Sequence, residues 1–208
     1  MSGAAALPLP FAGGAVHTAT FVAAYALWAG SEMVLMRTRR AASSAVLERS
    51  SLRWLRLLLA AGVGSDFAVA ALLPGASLGF AVPRVFWVGI ALILAGLLLR
   101  WYAIAVLGRL FTVDVAVHAD HAVVRSGPYR YVRHPAYSGM LLTLLGIGLA
   151  LGNALGLLAL LGLAGIGFGK RIAAEEAILA AALGEPYRRY MRDTSRLVPF
   201  VWRSPAVR

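Results

Sequence analysis

No cysteine occurs among the 208 residues. Disulfides, thiolate nucleophiles and cysteine-ligated metals are excluded at the outset. Charge is scarce as well: 14% of the residues are charged, against about 25% in ordinary soluble domains. Acidic groups are the scarcest, nine against 20 Lys and Arg, for a formal net charge of +11. With 60% hydrophobic residues and a mean hydropathy of +0.76, the chain does not read as a soluble domain. A basic surplus can signal nucleic acid, but these arginines flank apolar runs and build no soluble patch, so no nucleic-acid partner is expected. His17, His118 and His121 show no metal-ligand spacing with a carboxylate, and no metal site is expected. No internal repeat or linker divides the sequence. The opening MSGAAALPLPFAGGAVHTA has no basic segment of the signal-peptide kind and reads as an uncharged tail before a first span.

What is present is a series of apolar runs. Ala15 to Met36 is long enough to cross a bilayer, since about 20 helical residues cover ~30 Å. The loop RTRRAASSAVLERSSLRWLR is rich in arginine and is expected on the cytoplasmic side. A second span runs from about Trp54 to Leu73 and ends at Pro74 and Gly75. The next loop carries only Arg84 and is expected outside, and a third span covers about Val85 to Leu107. Gly108 to Pro135 is polar. Ala136 to Leu151 and Ala154 to Phe168 then form two short runs around the Gly152-Asn153 turn, expected as a tight hairpin inside the bundle. Gly146, Gly148, Gly156, Gly162, Gly165, Gly167 and Gly169 suit close helix contact there. The expectation is an all-α membrane protein of about five transmembrane helices in a single polytopic domain, residues 1–208. Its N-terminus is expected outside and its basic C-terminal tail inside. Both polar segments then face the cytoplasm, where they can meet in a cofactor pocket.

The stretch GPYRYVRHPAYSG concentrates polar and aromatic chemistry at the mouth of the hairpin. Pro135 suits the first turn of a helix, and the residue before it stays extended. Ala136 and Tyr137 then lie where unpaired backbone N–H groups can receive an anionic group. Tyr129 adds an aromatic wall. Tyr131, Arg130 and Arg133 are expected as headgroup-layer anchors, and His134 as part of a site. In KRIAAEEAIL, Arg171 and Glu175 share a helix face, either as a surface ion pair or as part of that site. Glu176 lies about 140° from Arg171 and is expected to point elsewhere. Two acids fall inside spans: Glu32, near enough to an end to reach water, and Asp66, deep enough to pair with Arg100 or a backbone group.

GPYRYVRHPAYSG, the apolar hairpin, RIAAEEAIL, LGEPYRRY and RLVPF together resemble the isoprenylcysteine carboxyl methyltransferase family, over about Leu107 to Phe200. These are integral membrane enzymes that use S-adenosyl-L-methionine, related more distantly to phospholipid methyltransferases. The resemblance implies a methyltransferase core over 107–200, preceded by N-terminal spans over 1–106. It implies cofactor contacts at His121, Ala122, Val123 and Val124, a strand-like segment, and at Tyr129, His134, Pro135, Ala136 and Tyr137. Glu175 takes the place of the acid that holds the cofactor's charged end, and Arg171 that of the catalytic residue facing the substrate. Asp114 takes a place where some members carry a polar cofactor contact; Arg109, in LGRLFT, is a candidate to flank the acceptor that the resemblance does not assign.

Methyl transfer from a sulfonium asks an enzyme mainly to position and desolvate two reactants. A carboxylate acceptor oriented by Arg171 needs no general base, whereas an amine or hydroxyl acceptor makes a base such as His134 relevant. The implied partners are membrane lipids and a lipophilic or lipidated acceptor: a prenylcysteine-like carboxylate, a phospholipid amine, or an isoprenoid or fatty acid. The competing reading is a non-enzymatic transporter or scaffold with the same core. Asp66 within the membrane favours that rival; the gathering of polar residues at one face favours the enzyme.

Overall fold

Apolar segments of membrane length have no water to satisfy their backbone groups, so they must close their hydrogen bonds internally as helices. The computed structural model describes residues 8–39, 46–48, 50–78, 82–113, 115–116 and 123–199. A short helix α1 (Leu9–Ala12) precedes α2 (Ala15–Thr38), α3 (Ser50–Leu72), α4 (Val82–Leu107), α5 (Pro135–Leu151), α6 (Ala154–Leu183) and α7 (Glu185–Asp193). Helices α2, α3, α4 and α6 are long and apolar enough to cross a membrane, and α5 is a shorter apolar helix beside them. These are the five expected spans. Leu98 and Leu158 stay 71% and 66% exposed, as side chains whose solvent is lipid should. One departure from an all-helical chain is a small antiparallel ladder of β1 (Val46–Glu48) with β2 (Val115–Ala116).

Glycine sets how closely the helices approach. Helix α5 packs chiefly on α4, and α6 on α3. Gly89 faces Gly146 and Gly96 faces Gly139, pairs about two helical turns apart. A methyl group on Gly96 would lie 2.5 Å from the Gly139 carbonyl oxygen, and one on Gly146 2.5 Å from that of Gly89, so the α4 and α5 backbones touch. Gly62 lies under Leu160 and Gly167 against Leu55 in the α3–α6 contact. Of the glycines expected at contacts, Gly146, Gly148, Gly156 and Gly167 serve that purpose. Gly162, Gly165 and Gly169 have nothing within 4 Å where a side chain would begin.

The α5–α6 turn is built as its residues suggest. Gly152 adopts φ 74°, and Asn153 caps α6 by accepting from the N–H groups of Leu155 and Gly156, both at 3.1 Å. The Asn153 amide donates to Leu73 O at 2.8 Å, and Leu78 N–H to Gly152 O at 2.9 Å, which ties the end of α3 to the hairpin. Asp66 is fully buried against Gly148 and Gly156, and neither of its oxygens has a hydrogen-bond partner among the described residues. Neither expected partner of Asp66, Arg100 or a backbone group, is found among the described residues, and Arg100 pairs with Glu32.

The backbone contact predicts an asymmetric glycine response. Gly96→Val or Gly146→Val should cost at least about 1–3 kcal/mol, because backbone cannot yield as a side-chain tip can. Gly162→Ala should change stability by less than about 1 kcal/mol. Thermal unfolding of the detergent-solubilised variants measures both.

Candidate active site

Helices α2 and α4 end, and α3 and α5 begin, at the end of the bundle from which the second half of α6 emerges. The polar residues collect there. Gly127, at φ 54°, opens the 3-10 turn Gly127–Arg130 and swings Tyr129 inward, to 5% exposure. The Tyr190 hydroxyl donates to Tyr129 O at 2.7 Å and fixes that turn. Burial, with the Glu175 charge second, pushes the Tyr129 phenol well above its usual range, so it stays neutral. The next residues run alongside the tail: Val132 bridges Ser195 in parallel, Arg133 N–H donates to Ser195 O at 2.8 Å, and His134 N–H to Arg196 O at 3.0 Å.

Glu176, 3% exposed, receives these segments. Arg133 Nε donates to its Oε1 at 2.8 Å, His134 Nε2 lies 3.3 Å from the same oxygen, and Arg196 reaches Oε2 at 2.9 Å. Arg133 Nη1 also donates to Met191 O at 2.7 Å and to Thr194 O, carbonyls at the end of α7 that lack helical partners. A second chain of contacts runs beside it. The Tyr137 hydroxyl donates to Glu175 Oε2 at 2.8 Å and accepts from Arg171 Nε at 3.3 Å. Arg171, 1% exposed, donates further to Ser51 Oγ at 3.0 Å and Val113 O at 2.7 Å. A third cluster joins α2, α4 and α5: Arg100 forks onto Glu32 at 2.5 and 2.8 Å and donates to Ala136 O at 3.1 Å.

Of these groups Glu32, Arg100, Arg133, His134, Tyr137 and Glu175 line one cavity of about 760 Å³, and Arg171, Ser51 and Glu176 stand behind its wall. Its polar end holds Tyr129, His134, Ala136, Tyr137 and Glu175; its apolar arm runs between α2 and α3, past Trp28, Leu55 and Val63 to Tyr25 and Phe67. Helices α2 and α3 are not among the closely packed pairs, although they follow one another in the chain. Glu175 is half-buried on the wall, and among the described residues no cation pairs with it. A carboxylate held by the Tyr137 hydroxyl, beside the Tyr129 and Tyr137 rings, can receive a cationic group of a small molecule.

The structure thus brings together Tyr129, His134, Ala136, Tyr137 and Glu175 of the expected site, with Pro135 opening α5 behind them. Val124 packs instead on Ala103, Tyr129 and Ala136; neither it nor Val123 lines the cavity, and both lie in irregular chain rather than a strand. His121, Ala122 and Asp114 lie outside the described residues. Arg171 sits one hydrogen bond behind the wall, turned to Tyr137, Ser51 and Val113 instead of into the cavity. The helix-end N–H groups are mostly used: Tyr137 and Ser138 N–H both donate to His134 O at 3.0 Å, which leaves that of Ala136. Arg130 and Tyr131 are exposed as anchors should be, but Arg133 is buried on Glu176. Arg133, Glu176, Arg100 and Glu32 are the polar residues around the candidate site that sequence reasoning did not assign to it. Their signal was the scarcity of acids: a chain with nine acids and 20 bases rarely leaves a carboxylate near an apolar helix without a partner.

Residues 88–181 match the sequence model of the Isoprenylcysteine carboxyl methyltransferase (ICMT) family, which overlaps the resemblance read from the motifs over 107–181. The chain is similar to the probable protein-S-isoprenylcysteine O-methyltransferase of Oryza sativa subsp. indica, 33% identical over 119 residues, 56% of this chain and 62% of that protein. It is similar to the protein-S-isoprenylcysteine O-methyltransferase B of Arabidopsis thaliana, 34% identical over 54% of this chain and 58% of that one. The match therefore spans about three-fifths of the length of these curated relatives. Among solved structures, the eukaryotic intramembrane Ras methyltransferase ICMT shares the fold, with a TM-score of 0.67 and 24% identity over 92% of this chain and 67% of that one.

Removing one partner from the Glu176 cluster strands the others in a poorly solvated place. Arg133→Met should lower stability by about 3–5 kcal/mol, and the Arg133→Met, Glu176→Leu double variant should lose less than the sum of the single losses. A double-mutant cycle on unfolding in detergent reads that coupling.

Proposed function

We propose that this chain, whose core carries the isoprenylcysteine carboxyl methyltransferase signature, methylates the free carboxylate of a prenylcysteine-like acceptor held in the membrane, with S-adenosyl-L-methionine as donor. The observation that carries this reading is the continuity of one cavity from the Glu175 carboxylate, which has no cation partner among the described residues, to an apolar arm between α2 and α3. A water-soluble reactant and a lipid-tailed one can meet there without either leaving its own medium.

The donor, when bound, supplies an electrophilic methyl group on a sulfonium centre. Glu175 holds the ammonium of its methionine part, and the Ala136 N–H is the donor left in that turn for the carboxylate. The Tyr129 and Tyr137 faces give a cationic sulfur a contact of about 0.5–2 kcal/mol. Neutral phenols suit that task, and the buried Tyr129 stays neutral. His134 stacks on Tyr137, ring centroids 5.6 Å apart, with Nε2 toward Glu176, so it braces the ring. A carboxylate acceptor arrives deprotonated, and no general base is asked of the chain. Arg171 governs turnover by fixing the Tyr137 hydroxyl and the Val113 carbonyl against the wall. The basic residues near the cavity end, Arg37, Arg39, Arg53 and Arg56, support a cytoplasmic site, an outer N-terminus and an inner C-terminus. Residues 1–106 supply the lipid-facing arm and 107–200 the donor site.

Binding of radiolabelled S-adenosyl-L-methionine and transfer to N-acetyl-S-farnesyl-L-cysteine test the assignments together. Glu175→Ala should abolish binding. Arg171→Ala should keep donor affinity within a few fold while turnover falls by about a hundredfold, the scale of a small misplacement of reacting groups. Equal donor affinity in wild type and Glu175→Ala rejects the site.

A further inference from the structure

Among the described residues, three arginines line the cavity: Arg56, Arg100 and Arg133. Two of them are committed. Arg100 forks onto Glu32 and donates to Ala136 O, and Arg133 holds Glu176 and the carbonyls at the end of α7. Arg56 is exposed and has no hydrogen-bond or ion-pair partner among the described residues. Its direction follows from spacing: Leu52, Arg56, Leu59 and Val63 all line the cavity and recur every three or four residues, so they share one face of α3. At about 100° per residue, Arg56 falls near the middle of the arc that the lining residues from Leu55 to Gly64 cover. Its depth matches the polar end. Glu32 stands six residues before the end of α2 and Arg56 six after the start of α3, each about 9 Å along its helix from the same end of the bundle. Glu32 is tied through Arg100 to Ala136, beside the Tyr137 that holds Glu175. Two opposite charges, Glu175 on α6 and Arg56 on α3, thus line one cavity without pairing with each other.

We propose that Arg56 receives the carboxylate of the acceptor and selects a charged head at the end of an apolar chain. The inference rests on the methyl-transfer reading and supplies the contact that Arg171, turned to Tyr137, Ser51 and Val113, does not make. A guanidinium offers the paired N–H groups that a carboxylate takes up, and the leucines around Arg56 keep water from competing. In the transfer, one oxygen of the acceptor bonds to the methyl carbon as the methyl–sulfur bond breaks, leaving its electron pair on sulfur; no proton moves. The acceptor's negative charge and the donor's positive charge are lost together. Arg56 therefore holds the acceptor more strongly than the transition state, and its weight falls on acceptor binding more than on kcat. The ester product carries no charge for Arg56 to hold, so methylation itself releases the head group from the wall.

The test uses full-length protein in uncharged detergent micelles with N-acetyl-S-farnesyl-L-cysteine, its carboxamide and its methyl ester. Equilibrium binding of each, KM, kcat and the affinity for S-adenosyl-L-methionine are read separately. Wild type should bind the carboxylate about tenfold or more tightly than the carboxamide or the ester, the scale of a hydrogen bond between charged groups. Arg56→Met should erase that preference and raise KM by about tenfold or more. Carboxamide binding and donor affinity should stay within about twofold, kcat should change less than KM, and Arg56→Lys should recover part of the loss. Equal binding of carboxylate and carboxamide by wild type, or a preference that survives in Arg56→Met, overturns the assignment and leaves Arg56 a headgroup anchor. A loss shared equally by both ligands, or confined to the donor, overturns it too. An Arg56-dependent carboxylate preference without any methyl transfer keeps the assignment and sinks the enzymatic reading; transfer with a preference that Arg56→Met leaves intact does the reverse.

Discussion

Burying a carboxylate in a chain this apolar costs several kcal/mol unless cations and hydrogen bonds replace the lost water. Glu176 meets that demand with three basic side chains drawn from separate pieces of sequence: Arg133 and His134 ahead of α5, and Arg196 beyond α7. The consequence is topological. The segment leading into the hairpin and the segment following α7 are forced onto one face of α6, and their backbones pair through Val132 and Ser195. Arg133 extends the clamp by satisfying the carbonyls at the end of α7. Without that carboxylate, the turn that aims Tyr129 and the helix start that aims Tyr137 would have no common reference.

The glycine contacts supply the rest of the geometry. Because α4 and α5 touch backbone to backbone at Gly96 and Gly139, Arg100 is drawn within reach of Ala136 O and Glu32 together. A methyl group on Gly139 would sit 2.9 Å from the Arg100 Cβ, so the polar cluster and the helix contact cannot be changed independently. The α3–α6 contact does the same for Ser51 and Arg171. Helix α2 is tied to α4 through Glu32 and Arg100 and leaves a gap toward α3. The looseness that opens the apolar arm follows from where the small residues are placed.

Much of this was legible in sequence because it follows local rules. Spans follow from apolar length, the hairpin from Gly152-Asn153, and the start of α5 from His134-Pro135. Tyr129, His134, Ala136, Tyr137 and Glu175 were expected together because a motif keeps its internal spacing wherever it folds, and they line one cavity. Partner choice was not legible. Arg100 lies beside Gly139 and Ala136 at the start of α5, where Glu32 meets it, whereas Asp66 is buried against Gly148 and Gly156 at the far end of the hairpin. Arg133 reads as one more membrane anchor until the tail closes over it, and Arg171 reads as facing the cavity until Ser51 and Val113 draw it aside. Helix α7 escaped notice because LGEPYRRY is short and polar, its place set by Tyr187 and Tyr190 burying against the core.

Glu175 and Glu176 are neighbours in sequence with opposite tasks, and the helix explains why. A step of about 100° turns Glu176 toward the arginines of the clamp and Glu175 toward the cavity, where a phenol hydroxyl is its partner. Both carboxylates lie within a few ångströms of the same His134–Tyr137 turn, yet one is saturated with cations and the other is not. The cations spent on Glu176 and Glu32 are those that would otherwise have neutralised the wall. An acidic group on the cavity wall of a chain of net charge +11 is therefore a result of how the arginines are distributed among the other carboxylates.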